Sequence, residues 1–365
     1  MSNTILEVHR SDHGRTRLVE LDEQPLEDGD VRLRIDRFAV TANNITYAVA
    51  GDLLGYWDFF PADDGWGRVP AMGWADIVES KNDAVPVGGR YYGWFPMAQY
   101  VDLTATPTRD GFRDDGDHRS DHAPVYRSYL STEQDTSYEP GVDAEDRHAL
   151  LRGLFLTGFL AEEFFADDEY FGAEQVLVLS ASSKTAVGFA QRASERDGVA
   201  VVGVTSPSNL ELVESLGFYD TVVSYGDLAT IEQVPSVLID MAGNSGVIAG
   251  LHALLDDELK YSMAVGKSHH DSAPTRVEAG PRQQMFFAPT EVSRRIEEWG
   301  RVSFAERTKA ALDDFVQGSA GWMSIEQTHG PESAAQTWNE VREGKVSPSI
   351  GRVVSMHSRQ EDSDS

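Results

Sequence analysis

The 365-residue chain contains no cysteine. Disulfides, thiolate nucleophiles and cysteine-ligated zinc are excluded at once, and a reducing compartment is the natural expectation. It also lacks any long hydrophobic run. The longest apolar stretch, near residues 150–161, contains Arg152 and is too short to cross a bilayer. The first residues, MSNTILEVHR, carry neither a basic segment nor an apolar core of the kind a secretory signal needs. A cytoplasmic location is therefore expected, without a membrane partner. Positive charge is scarce: 31 Lys and Arg stand against 60 Asp and Glu, a net charge of −29. Such a surface repels nucleic acid at long range, so none is expected as a partner. The excess of acid, with Arg outnumbering Lys, is what a salt-adapted protein would carry. No internal repeat is visible, and no G-x-S-x-G elbow marks a serine hydrolase.

What is present is a globular composition, 41% hydrophobic with 16 Phe, 12 Tyr and 7 Trp, on a chain long enough for two domains. Up to about residue 145 the pattern is short alternating runs broken by Gly, Pro and Asp. VRLRIDRFAV (31–40) alternates as a half-buried strand does, and RYYGWFPMAQYVDL (90–103) offers two more. The segment 106–124, which includes HRSDH with His118 and His122, reads as a charged surface excursion. A helix is expected over 143–168, with Asp143 and Asp146 near its positive end. Strands at 175–180, 199–206, 221–225, 236–243 and 261–266 then alternate with helices at about 186–196, 208–216 and 245–257. Continuous Val, Leu and Ile in such strands predict an α/β doubly wound parallel sheet. From about 285 the chain is expected to carry one long amphipathic helix (293–318), then a helix and a strand, a zone that returns to complete the first domain or extends the edge of the sheet. His269 and His270 are adjacent and so point to opposite sides, which favours a loop role over a metal site.

The stretch VLVLSASSKTAVGFA (176–190) is strand, tight turn, helix, as a phosphate-binding turn requires, but without the glycines. The customary glycine positions hold Ser180, Ser183 and Ala186, all small. Ser182 and Thr185 add hydroxyls, and Lys184 adds a cation at the helix start. A cation there opposes the helix dipole, which favours an anionic partner beside it. The alternative is a helix cap after a structural strand. The second strand ends VTSPSN (204–209), where Ser206 and Asn209 offer neutral hydrogen bonds and no acid stands ready for a ribose diol. That favours NADP(H) over NAD(H).

The order of parts resembles the medium-chain dehydrogenase/reductase superfamily. The resemblance rests on 31–51, VPVGGRYYGW (85–94), LGFYDTVVSYGD (216–227), VLIDMAGN (237–244) and residues 329–354. TANNITYAVAGDLLGYWDFFPA (41–62), HRS (118–120) and LSASSKTAVGFA (179–190) further resemble a branch known only as a domain of unknown function. The resemblance implies a GroES-like β-rich domain (1–147 and 286–357) and a Rossmann-type nucleotide-binding domain (148–285), while the acidic tail (358–365) is expected to be disordered from its charge. It implies a pyrophosphate loop at Ser180, Ser182, Ser183, Lys184 and Thr185. Ser206, Asn209 and Tyr225 would lie at the adenosine end, and Thr157 near the nicotinamide. It also implies zinc-free reduction of a polarised C=C or C=O by a homodimer, with Tyr47 donating a proton and Asn43 or Asn44 holding the substrate oxygen. The alternative for NNITY is a helix start with Asn43 as cap and Tyr47 in the core. Tyr56, Trp57, Phe59 and Phe60, and later Phe286 and Phe287, are candidate walls of a substrate pocket, with plain core as the alternative for at least two of the first four. A different class of function also fits the missing glycines: a nucleotide-binding or regulatory module without turnover.

Overall fold

The computed structural model describes residues 2–241, 243–265 and 279–359. His269 and His270 lie outside these residues, as does most of the acidic tail. The chain forms two compact units, 1–150 with 324–365, and 151–323. The long helix Val142–Asp167 leads from one into the other.

In the first unit an eight-stranded sheet curls on itself. Asp30–Val40 pairs with Pro70–Ser80, which pairs with Arg90–Pro96, and the order continues through Ser128–Ser131, Gly111–Asp114 and Tyr100–Thr108. The last of these pairs back onto Asp30–Val40 and closes a barrel. Ile350–Ser355 and Ser324–His329 extend the sheet from the other side of Asp30–Val40. Along Asp30–Val40 the alternation seen in the sequence places Val31, Leu33 and Ile35 inside. A register shift between Ile35 and Arg37 then turns Phe38 inward.

Segment 106–124 is not a surface excursion. It contributes strand to the barrel, and Arg119 is fully buried beside the buried Asp114. The Arg119 guanidinium lies 4.5 Å from the Phe59 ring centroid and donates to the Phe59 and Tyr126 carbonyls. His122 is half-buried, with its Nε2 2.9 Å from the Gly55 carbonyl oxygen, and desolvation lowers it below the ordinary imidazole value; His118 stays exposed. A run of charged letters looks exposed until an internal partner is known.

The second unit holds a six-stranded parallel sheet. Its order is Thr221–Ser224, Ala200–Thr205, Gln175–Leu179, Ser236–Asp240, Leu259–Ala264, Gln284–Met285. Strand order thus reverses at Gln175–Leu179, the place where doubly wound sheets open a crevice at their carboxyl ends. Leu177 is in register with Val202 and Leu238, and all three belong to one buried cluster. The helix expected over 293–318 is two, Ala288–Trp299 and Arg301–Gly318, broken at Gly300 with φ 80°. Both belong to the second unit, so the chain returns to the first at Ser324 and not near 286. Phe315 stacks on Phe155 at 4.8 Å, and Arg295 is paired with Asp167; these contacts hold the two helices there.

Candidate functional site

The strand Gln175–Leu179 is buried along its whole length and ends at the crevice. The chain must reverse within four residues to start the helix Lys184–Ala193. Ser180 makes the reversal by adopting φ +53°, the left-handed region that glycine fills without strain. The turn is closed by Ser183 N–H donating to the Ser180 carbonyl at 2.8 Å. Ala181 is tied to the neighbouring strand through Val204, and its carbonyl accepts from the Tyr219 hydroxyl at 2.8 Å. Ser183 caps the helix, accepting from Ala186 N–H. Ala186 is fully buried, as a third small position must be where helix meets sheet. Close approach is completed elsewhere: a Cβ on Gly158 would stand 2.6 Å from the Thr185 carbonyl oxygen and 2.8 Å from Phe189 N. Part of the glycine requirement has therefore moved to the preceding helix, where a motif search confined to the loop does not look.

Around this turn the structure gathers most of the residues expected to hold a dinucleotide. The Ser182 hydroxyl oxygen accepts from Asn209 Nδ2 at 3.0 Å, and Ser180 Oγ lies 3.2 Å from the Tyr225 hydroxyl. With Asn209 donating to it, the Ser182 hydroxyl keeps its own proton free to donate. Ser206 is beside Asn209, but its hydroxyl pairs with Ser208 at 3.0 Å. Thr157 neighbours Gly158, and its hydroxyl donates to the Gly153 carbonyl at 3.0 Å. Loss of solvent lowers the Lys184 ammonium to about 8, whereas burial raises the Tyr225 and Tyr219 phenols. Sequence reasoning passed over Asp240. It is buried at the end of the next strand, accepts from Gly243 N–H at 2.9 and 3.0 Å, and its charge helps to raise Tyr225.

NNITY, in the first unit, does form a helix, Ala42–Val49, but Asn43 is not its cap. Thr41 caps it, and the buried Asn44 answers with Oδ1 accepting from Thr41 N–H at 2.7 Å. Asn44 Nδ2 donates to the Pro70 carbonyl at 2.9 Å. That amide is engaged on both ends in holding the fold and is a poor holder of a substrate oxygen. Tyr47 is 6% exposed, 4.5 Å from the Tyr56 ring, and burial pushes its phenol well above the ordinary value. Asn43 is half-buried beside it, its side chain opposing that rise.

The first aromatic group is mainly core. Trp57 fills the space left by two glycines; a Cβ on Gly51 or Gly67 would come within 2.2 or 2.1 Å of its ring. Phe59 lies under Arg119, and the Tyr56 hydroxyl is 3.2 Å from that of Tyr126. These three pack inward. Phe60 borders a cavity of about 350 Å³. In the second unit, the buried Phe286 and the 40% exposed Phe287 border a cavity of about 180 Å³ with Phe164 and Tyr261.

The family profile described as "Protein of unknown function (DUF2855)" matches residues 38–347. The chain belongs to this family. No curated protein sequence matches it. Among solved structures, CurA from Vibrio vulnificus aligns with a TM-score of 0.63 at 14% identity, over 99% of each chain. CurA from the same organism in complex with NADPH gives 0.59 at 14% identity, over 98% of this chain and 100% of that one. The yhdH oxidoreductase from Salmonella enterica in complex with NADP gives 0.56 at 15% identity, over 97% and 99%. The fold is that of the medium-chain dehydrogenase/reductase structures with which it aligns, and the family is the one described by DUF2855. Among the described residues no helix is long and apolar enough to cross a membrane.

Proposed function

We propose that this DUF2855 chain is an NADP(H)-dependent oxidoreductase that works without zinc on a carbonyl-activated C=C, a quinone or a carbonyl. The observation that carries the reading is the turn itself. Ser180, a non-glycine residue, is held in a left-handed conformation after the strand Gln175–Leu179, a helix capped by Ser183 follows, and Lys184 at its start is desolvated. Strain and a desolvated charge together are expected where an anion is to be bound. The residues fit a dinucleotide: Ser180, Ser182, Ser183, Lys184 and Thr185 for the diphosphate, and Asn209, Ser206 and Tyr225 toward the adenosine end. The neutral Ser206 and Asn209 leave room for a 2′-phosphate. When bound, NADPH supplies a hydride. Tyr47 keeps its proton through the physiological range and is the proton donor in this reading, with the half-buried Asn43 beside it. The absence of cysteine and the NADP(H)-bound structures of like fold support the same reading. A homodimer along the edge strand Gln284–Met285 fits the 78% exposed Met285 and the exposed Phe287.

A second reading, a nucleotide-binding module without turnover, is favoured by one observation: Asn209 and Tyr225 already cross to the loop hydroxyls. Titration with NADPH, NADH and AMP, followed by nicotinamide fluorescence and thermal shift, separates the two. NADPH binding that raises the melting temperature, with oxidation of NADPH by an enone, quinone or aldehyde, supports the reductase. Tight AMP binding without NADPH binding supports the module.

A further inference from the structure

A phenol that gives up its proton leaves a phenolate, which is costly among rings and away from water unless a donor stands ready for it. Tyr47 is in that position, 6% exposed and with the Tyr56 ring centroid 4.5 Å away. Burial acts most strongly against its ionisation, and the phenols of Tyr56 and Tyr92 oppose it too. The Tyr56 hydroxyl lies 3.2 Å from that of Tyr126, so these two pair with each other. Two side chains act the other way and favour the charged form by hydrogen bonding, the indole of Trp94 and the amide of Asn43. All of these residues belong to the first unit.

Trp94 lies on the barrel strand Arg90–Pro96 and is 8% exposed. A buried indole N–H ordinarily finds an acceptor. Trp94 Nε1 is buried and has no hydrogen-bond partner among the described residues. The residue is nevertheless held firmly. Its ring makes T-shaped contacts with Tyr126 at 5.4 Å and Tyr92 at 6.4 Å, and its carbonyl accepts from the Tyr129 hydroxyl at 2.7 Å. A fixed donor that lacks an acceptor in the neutral protein, and that favours charge on the neighbouring phenol, is placed for the state in which that charge exists. Such hydrogen bonds are often long in the resting protein and close as charge develops.

We propose that Trp94 is a positioning residue for Tyr47: its indole N–H closes on the phenolate oxygen when Tyr47 gives its proton away. This role rests on Tyr47 being the proton donor of the proposed reaction. In that step the Tyr47 O–H bond breaks and the proton passes to the substrate atom made basic by reduction. The electron pair stays on the phenolate oxygen, where the Trp94 N–H donates to it, and a solvent proton restores the phenol afterwards. Trp94 acts through Tyr47 and not on the substrate.

The test reads the phenol directly and needs no turnover. A fluorinated tyrosine, acidic enough to titrate while the fold survives, is placed at position 47 of the full chain. Its ionisation is followed by fluorine NMR with Trp94 intact and with Trp94→Phe. Loss of the N–H should weaken that ionisation about ten- to hundredfold, the worth of a hydrogen bond to a charged group. A benzothienylalanine at position 94 keeps the double ring and removes only the N–H. It should give the same loss, and it decides the matter where Trp94→Phe melts early. A lower melting temperature with the ionisation at position 47 unmoved is what a merely structural tryptophan would give, and it overturns the proposal. Turnover supplies a second reading. With the best enone, quinone or aldehyde, Trp94→Phe should lower kcat about tenfold without changing NADPH affinity, and should cost nothing further in the Tyr47→Phe background. Full additivity of the two substitutions also overturns the proposal. If the wild-type chain oxidises no NADPH, the reductase reading fails by itself, and the titration at position 47 still decides whether Trp94 holds the phenolate.

Discussion

Replacing Lys184 with Met separates a binding lysine from a structural one. Loss of solvent holds the ammonium at about 8 against an ordinary 10.5. At ~1.4 kcal/mol per pKa unit, keeping it charged costs the folded chain about 3 kcal/mol at pH 7. The folded state binds fewer protons than the unfolded state between pH 8 and 10.5. Stability therefore rises with pH across that window, and the cost is fully present below it. Methionine, similar in length and apolar, removes the cost and stabilises the free protein at pH 7 by up to about 3 kcal/mol. A diphosphate beside the ammonium acts in the other direction, because it keeps the proton on. Wild-type affinity for NADPH is thus flat below pH 8 and falls above it. If binding restores the ordinary pKa, the loss between pH 7 and 9 is about tenfold. Burial raises Tyr225 and Tyr219, so neither titrates in that window. The assay is paired: thermal melts of the free proteins, and NADPH fluorescence titrations at pH 7, 8 and 9. Lys184→Met should melt higher, bind NADPH at least about tenfold more weakly at pH 7, and lose the alkaline fall. A variant that melts lower and keeps both the affinity and the pH profile of the wild type refutes the reasoning.

Four further outcomes follow from the same structure. Ser180→Gly suits φ +53° and should leave NADPH affinity within about threefold, whereas Ser180→Val should lose about 2 kcal/mol of stability and most of the binding; melts and titrations of the pair check it. Gly158→Ala pushes a methyl onto the Thr185 carbonyl, and should lower stability by about 1–3 kcal/mol and weaken NADPH by displacing the turn, read by the same two assays. Tyr47→Phe should keep the melting temperature within a few degrees and the NADPH affinity unchanged, while kcat for the best substrate found falls by about 10²–10⁴; an unchanged kcat removes Tyr47 from the chemistry. Met285→Lys places a charge on the exposed edge strand and should shift a dimer to monomer in sedimentation, without loss of fold.

The architecture was legible because each part of it is written locally. Unbroken Val, Leu and Ile runs separated by helical patterns allow few arrangements other than a covered parallel sheet. The alternation in 31–40 likewise announced a half-buried strand. The turn at 180 was legible as a shape, but what makes it work was not. The left-handed backbone of Ser180 is set by its hydrogen bonds to Ser183 and Tyr225, and the close helix approach by Gly158, more than twenty positions away. Neither is visible in a motif read along the chain. NNITY shows the opposite limit. Two adjacent asparagines look like interchangeable substrate holders, yet Asn44 is spent on the cap at Thr41 and on the Pro70 carbonyl. Only Asn43 remains beside Tyr47.

Charge was the hardest signal to place. Arg119 sits in a segment that reads as a charged surface excursion, yet it is fully buried. Arg119 is enclosed with Asp114 and two carbonyls, and holds the barrel end together with Phe59. Arg32 spends five donors on three carboxylates and a carbonyl. Lys184 stands at the start of a helix, where the dipole opposes it, and gives up part of its hydration to do so. In a chain with 60 acids and 31 bases, burying a base is not a matter of finding surface charge to pair with, since that is available everywhere. A base at a helix start opposes the dipole, and the loss of solvent around Lys184 reduces its affinity for a proton. The nucleotide reading rests on Lys184 and its turn, and the pH dependence of binding is therefore the measurement that decides it.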